Sequence, residues 1–256
     1  MTYRRIASSK DRATWLEARK HFYTASEIAC ILDVGFLTSK ELETQKRAAV
    51  VTDEDDEVGN LAMVAAGRHL ESGVLSWFAA ETPHLEFTPN DWLLARDGGE
   101  LPVAATPDGI MDEVPVEAKN VRFESFSSWT KFGSRDEYAA HDWASDIQIT
   151  NIVKRFPPIT MRVAKKDWGT PRGNWRAAVV GAYEERLKLG PLQVPLKYVV
   201  QAHVQMYVMD APRGWVTAVL GGDTRLDFCL QRSAKLEQHW LSETARFNEI
   251  IGGLST

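Results

Sequence analysis

The chain has 256 residues, with 30 Lys and Arg against 35 Asp and Glu and a formal charge of −5. Hydrophobic residues at 44% and charged residues at 25% exclude general disorder, and no apolar run reaches the roughly 18 residues of a membrane span. Two cysteines, Cys30 and Cys229, are too few for a disulfide framework or a four-cysteine zinc or iron–sulfur site, and they read as buried thiols in a reducing compartment.

The segment Met1–Arg12 is polar and lacks the apolar core of a secretory leader, which predicts a cytoplasmic protein. Trp15–Leu32 reads as helix, short turn and second helix, with Thr24 or Ser26 as the second N-cap and Glu27 in an acidic first turn. Val51–Gly59 is an acidic stretch that reads as solvated loop or helix start. Leu61–Ala80 has the broad apolar face of a helix and carries Glu71. Leu85–Phe87 reads as a short strand and Asp97-Gly98-Gly99 as a turn. Val103–Ala105 and Val114–Ala118 read as strands flanking a turn at Pro107-Asp108-Gly109. Val199–Met209 is an apolar helix that also holds Gln201, His203 and Gln205. Trp215–Leu220 is predicted as a strand and Asp227–Ile251 as a closing helix.

Residues 120–200 differ from the rest of the chain. They hold 13 Lys and Arg against 8 Asp and Glu, so the acidic total conceals a basic middle. Lys154, Arg155, Lys165, Lys166, Arg172 and Arg176 interleave there with Trp168 and Trp175. This pattern suits a basic face that tracks phosphates, with aromatics stacking on bases. It equally suits a satellite core of tryptophans over which basic side chains snorkel.

The densest chemistry lies between Asp108 and Lys119. On a strand, Glu117 and Lys119 project to one face and Ala118 to the other. If the flanking strands pair, Asp108 at the turn faces Glu117. Two close carboxylates disfavour each other's ionisation unless a cation neutralises them, and hard oxygen ligands select Mg²⁺ or Mn²⁺. A lysine beside such a centre can hold the attacking water and stabilise a developing oxyanion. Taken alone, Glu117-x-Lys119 is also the spacing of an ordinary surface ion pair. The six histidines show no H-x-H or H-E-x-x-H spacing, which argues against zinc, and no Walker-type loop for ATP is present.

Thr106-Pro107-Asp108-Gly109 with Glu117-Ala118-Lys119 resembles the PD-(D/E)xK nuclease signature, and more narrowly that of the lambda exonuclease (YqaJ viral recombinase) family. Four blocks carry the resemblance in order: Trp15-x3-Arg19 with Thr24-Ala25-Ser26-Glu27, then Gly67-Arg68-His69-Leu70-Glu71, then Asp108/Glu117/Lys119, then Gln201-x3-Gln205-Met206-Tyr207. The resemblance implies a PD-(D/E)xK nuclease-like α/β fold, a mixed central sheet flanked by helices with the site at one edge. Residues 1–256 would form one domain, with a basic, Trp-rich insertion at approximately 130–195.

The resemblance further implies an Mg²⁺-dependent 5′→3′ exonuclease that resects double-stranded DNA ends for phage recombination, with Mn²⁺ substituting. Asp108, Glu117, the Ala118 carbonyl and Glu71 would hold the metal, and Lys119 would activate water. Arg19 and Ser26 would grip the 5′-phosphate, with Gln201 near the scissile strand. Arg suits phosphate as a fixed fork, and a hydroxyl at a helix start adds a favourable dipole. For Arg19 the competing reading is a surface ion pair with Glu17 or Glu27. The implied partners are a single-strand annealing protein and further copies in a ring-shaped trimer, with no membrane involved. An endonuclease on the same fold and an inactive DNA-end-binding protein are the alternatives. Two departures from the pattern stand out: the long gap between Lys119 and Gln201, and His203 where relatives often carry a second glutamine.

Overall fold

A computed structural model describes residues 3–48, 62–121, 128–129, 135–155, 193–220 and 224–254. It is a mixed α/β structure with two mixed sheets flanked by helices. The elements in chain order are β1 (Tyr3–Ser8), α1 (Arg12–Arg19), β2 (Tyr23–Thr24), α2 (Ala25–Ile31), α3 (Ser39–Arg47) and α4 (Ala62–Glu81). Then come β3 (Phe87–Pro89), β4 (Trp92–Arg96), β5 (Val103–Ala105), β6 (Gly109–Met111), β7 (Val114–Val121), α5 (Arg135–Ala139) and β8 (Ile149–Arg155). The chain closes with α6 (Leu196–Met209), β9 (Arg213–Leu220), β10 (Thr224–Gln231) and α7 (Ala234–Ile251).

The smaller sheet has the order β1-β4-β5-β2 and the larger β3-β6-β7-β9-β10-β8. Two sheets thus replace the single sheet expected from sequence. Val103–Ala105 does not flank the Asp108 turn within one hairpin, because β5 pairs with β4 and β2 in the smaller sheet. The hairpin partner of β7 is β6, joined to it through Asp112 and Glu113, both at positive φ. A tight hairpin turn requires that left-handed backbone, and here two acidic residues adopt it with no glycine to mark the place. The site strand β7 lies inside the larger sheet, between β6 and a parallel β9, and not at its edge.

The expected closing helix begins late. Thr224–Gln231 is a strand, and the helix runs Ala234–Ile251 from an N-cap at Ser233, whose hydroxyl accepts from Leu236 N–H at 3.2 Å. Leu226, Phe228 and Leu230 alternate into one side of β10, while Arg225 and Asp227 are buried on the other. The Arg225 guanidinium is bidentate on Asp227, with Nε at 3.0 Å from Oδ1. It also donates to the Trp77 carbonyl of α4 at 2.8 Å, and the Thr217 hydroxyl donates to Asp227 at 2.7 Å. This charged knot fastens α4 to the sheet.

Two helices clasp β7. From one side Val74, Leu75 and Phe78 of α4 pack on Met111, Val116, Ala118 and Val219. From the other comes α6, whose side chains are buried at every position from Val199 to Met209. Such a helix must be apolar all round, and it contacts both sheets as well as α2 and α7. The tryptophans Trp129 and Trp143 of the basic middle segment are buried core residues, and Trp129 stacks on the partly buried Tyr198 at 5.4 Å between ring centroids. Lys154 and Arg155 fall on β8, whereas Lys165, Lys166, Trp168, Arg172, Trp175 and Arg176 lie outside the described residues, as does the acidic stretch 51–59.

His203 sits within the buried length of α6, its Nδ1–H donating to the Val199 carbonyl at 2.8 Å. Burial drives its pKa from 6.5 down to about 4. Between those values the unfolded chain binds a proton that the folded chain refuses. This part of the stability is therefore complete above pH 6.5 and is lost as pH falls toward 4, by about 3 kcal/mol. Urea unfolding at pH 7.5 and 4.5 should show a loss about 2–3 kcal/mol smaller in His203→Gln than in the parent. Equal losses in both chains would clear His203 of that role.

Candidate active site

The β6–β7 hairpin builds the centre of the site. Gly109 pairs with Val116, so Asp108, one residue earlier, stands opposite Glu117. Gly109 has no room for a side chain, since a Cβ there would lie 2.5 Å from the Phe87 ring. The Asp108 carboxylate accepts from the Ala118 N–H at 2.7 Å, which locks the turn to the strand. Alternation along β7 sends Glu117 and Lys119 toward α6, while Ala118 is buried under α4. The Lys119 ammonium lies 2.6 Å from Glu117 Oε1. From α6, Gln205 donates its amide N–H to Glu117 Oε2, and the Tyr198 ring receives the Lys119 ammonium at 5.4 Å.

The electrostatics follow from crowding two acids in a buried place. Burial raises the Asp108 pKa well above its ordinary value, and the Glu117 charge adds to the rise, with Lys119 opposing and Glu71 contributing. Burial disfavours the Lys119 ammonium, but Glu117 and Asp108 outweigh it and hold its pKa above the usual lysine range. Glu71 of α4 also acts on Lys119 and on Tyr198. Asp108, Glu117, Lys119 and Glu71 thus form one electrostatic cluster.

The donor types suit a hard divalent cation: carboxylate oxygens with a backbone carbonyl beside them. Their present contacts are made within the protein. Asp108 is bound to Ala118 N–H, and Glu117 to Lys119 and Gln205. Accordingly, among the described residues no three Asp, Glu, His or Cys side chains are arranged as a metal cage. The ammonium supplies the positive charge that the acids require, and a cation would have to replace part of that contact set.

The remaining sequence candidates lie around α2. Gln201 is buried one helical turn before Gln205 on α6, against which α2 packs. Ser26 is on α2, with its hydroxyl 3.3 Å from that of Thr24. Thr24 is the N-cap, and Glu27 accepts from its N–H at 2.8 Å. Glu27 is paired in turn with Lys46 at 3.0 Å. The first turn of this seven-residue helix is therefore already served by an acid, and Ser26 offers its hydroxyl rather than a free dipole. Arg19 ends α1 with its guanidinium stacked over Trp15 at 4.5 Å. Glu17 is paired with Lys20 at 2.6 Å and Glu27 with Lys46.

Gln205 and Tyr198 were the functional neighbours that the sequence left without a role. Gln205 had a signal, since it stands four residues after Gln201 on one helical face. Its carbonyl oxygen is buried without a hydrogen-bond partner among the described residues. Compared with protein-family models and with curated proteins, the chain gives no match. Among the described residues, no helix is long and apolar enough to cross a membrane.

Proposed function

We propose that the chain is a metal-dependent deoxyribonuclease of the PD-(D/E)xK type, acting as a 5′→3′ exonuclease on double-stranded DNA ends. The observation that carries this reading is the convergence of Asp108, Glu117 and Lys119 on one hairpin, with Ala118 between the last two and Glu71 in electrostatic reach. Asp108, Glu117, the Ala118 carbonyl and Glu71 would hold Mg²⁺ or Mn²⁺. When bound, the cation would polarise the scissile phosphodiester and acidify a water.

The chain's own groups do the rest. Lys119, held as an ammonium, orients the attacking water and neutralises charge developing on the phosphoryl oxygens. Gln205 fixes Glu117 through its amide. Water attacks phosphorus, the bond from phosphorus to the 3′-oxygen breaks, and that oxygen leaves with a proton. The product is a 5′-mononucleotide. Repetition leaves a 3′ single-stranded overhang, suited to an annealing partner. A closed ring of copies around DNA would extend the same reading.

Arg19 and Ser26 supply the grip on the terminal 5′-phosphate in this scheme. The Arg19 guanidinium lies over the Trp15 ring at 4.5 Å, and its planar fork suits a bidentate phosphate contact. Arg19→Ala should lower the preference for 5′-phosphorylated over 5′-hydroxyl ends by about tenfold, measured as a ratio of kcat/KM values. An unchanged ratio would remove Arg19 from end recognition. Linear duplex labelled separately on each 5′ end, digested beside closed circles with Mg²⁺, tests the exonuclease assignment. Mononucleotides from phosphorylated 5′ ends with intact circles are expected. Cut circles would convert the assignment to an endonuclease.

A further inference from the structure

The loop between α2 and α3 holds an aromatic side chain in solvent beside the site. Asp33 takes positive φ and accepts from Ser39 N–H at 2.9 Å, while Val34 N–H bonds back to Ala29 at 3.0 Å. Gly35 lies so close to α2 that a Cβ would meet Cys30 Sγ at 2.4 Å. Leu37 tucks against the core. The loop is thus fixed on both flanks, yet it leaves Phe36 57% exposed, more than any other large hydrophobic residue among those described. Phe36 is thus presented to solvent from a loop anchored on both sides.

Its neighbour is informative. The Lys197 ammonium lies 4.0 Å from the Phe36 ring centroid and 5.1 Å from that of Tyr198. Tyr198 is the residue whose ring receives Lys119. A continuous strip therefore runs from Lys119 through Tyr198 and Lys197 to Phe36. Lys197 covers one face of the Phe36 ring, and the exposed remainder offers an aromatic surface to solvent. A π-surface beside an ammonium is the complement of a nucleotide, whose base presents a π-face and whose backbone presents an anion.

We infer that Phe36 is a substrate-positioning residue that stacks on an unpaired nucleobase close to the scissile phosphate, while Lys197 neutralises the adjoining backbone phosphate. The inference rests on the nuclease reading and adds to it a base contact on the substrate strand. Unlike the 5′-phosphate grip, this contact senses the base and is blind to the end group.

The test uses the full chain with Mg²⁺ on 5′-phosphorylated duplexes, each carrying one abasic nucleotide at successive positions from the cut end. On intact DNA, Phe36→Ala should raise KM about tenfold with kcat within about twofold, and Phe36→Trp should restore KM. On DNA abasic at one position near the end, the parent and Phe36→Ala should have equal KM values. Phe36 is exposed, so its replacement leaves the core untouched. Cleavage with KM unchanged in Phe36→Ala, or a penalty that persists at every abasic position, overturns this inference alone. A parent chain that cuts no DNA with Mg²⁺ or Mn²⁺ overturns the nuclease reading and this inference with it.

Discussion

Lys119→Ala is expected to cut kcat/KM for duplex DNA by at least about a thousandfold while leaving DNA binding within about threefold. The ammonium lies 2.6 Å from Glu117, and the two neighbouring acids keep it charged. In the proposed reaction its removal would take away both the donor that orients water and the charge that offsets the phosphoryl oxygens. In that reading binding would draw on contacts spread along the DNA backbone, and the loss of one lysine would change it little. Lys119 is about one-fifth exposed, so truncation opens no sealed cavity. Duplex binding in Ca²⁺ and single-turnover cleavage in Mg²⁺ separate the two effects. Retained turnover would remove Lys119 from the mechanism, and loss of binding in proportion to cleavage would make it an anchor rather than a catalytic group.

Arg225→Met is expected to have the largest effect on stability, a loss of about 3–5 kcal/mol. The guanidinium is fully buried with Asp227, and Thr217 and the Trp77 carbonyl complete the network. Truncation strands the Asp227 carboxylate in the protein interior, where solvent cannot reach it. The double variant Arg225→Met/Asp227→Leu removes both charges and should recover most of the loss. Urea unfolding of the parent, both single variants and the double variant measures the coupling. A single-variant cost below about 1 kcal/mol would show that the pair is not needed to hold α4. Because α4 carries Glu71, the same knot sets the height of that acid along the sheet.

The centre of the site was legible because strand alternation is strict. Glu117 and Lys119 had to share a face once β7 was a strand, and Ala118 had to oppose them. Asp108 was expected to face Glu117, and it does, but through a hairpin that the sequence concealed. The turn at Asp112 and Glu113 lacks the glycine or asparagine that normally marks positive φ. β10 was hidden by its own charges. Asp227 read as the start of the closing helix, whereas its pairing with Arg225 lets both be buried in a strand. In the smaller sheet β5 was legible as a strand, but β2, with only two residues, was hidden by brevity. Helices fared better. α4 and α6 were found from their apolar faces, with boundaries displaced by at most three residues. The bond from Gln205 to Glu117 crosses 88 residues of sequence, and no local pattern encodes a contact of that range.

The central claim is that Asp108, Glu117 and Lys119 form a metal-dependent phosphodiesterase centre. The most direct measurement is Mg²⁺-dependent release of nucleotides from linear duplex DNA by the parent chain and Asp108→Asn, purified side by side. The account predicts steady release by the parent, none after chelation with EDTA, and at least about a thousandfold less by Asp108→Asn. A parent chain inert with both Mg²⁺ and Mn²⁺, or equal release by the two proteins, would contradict it.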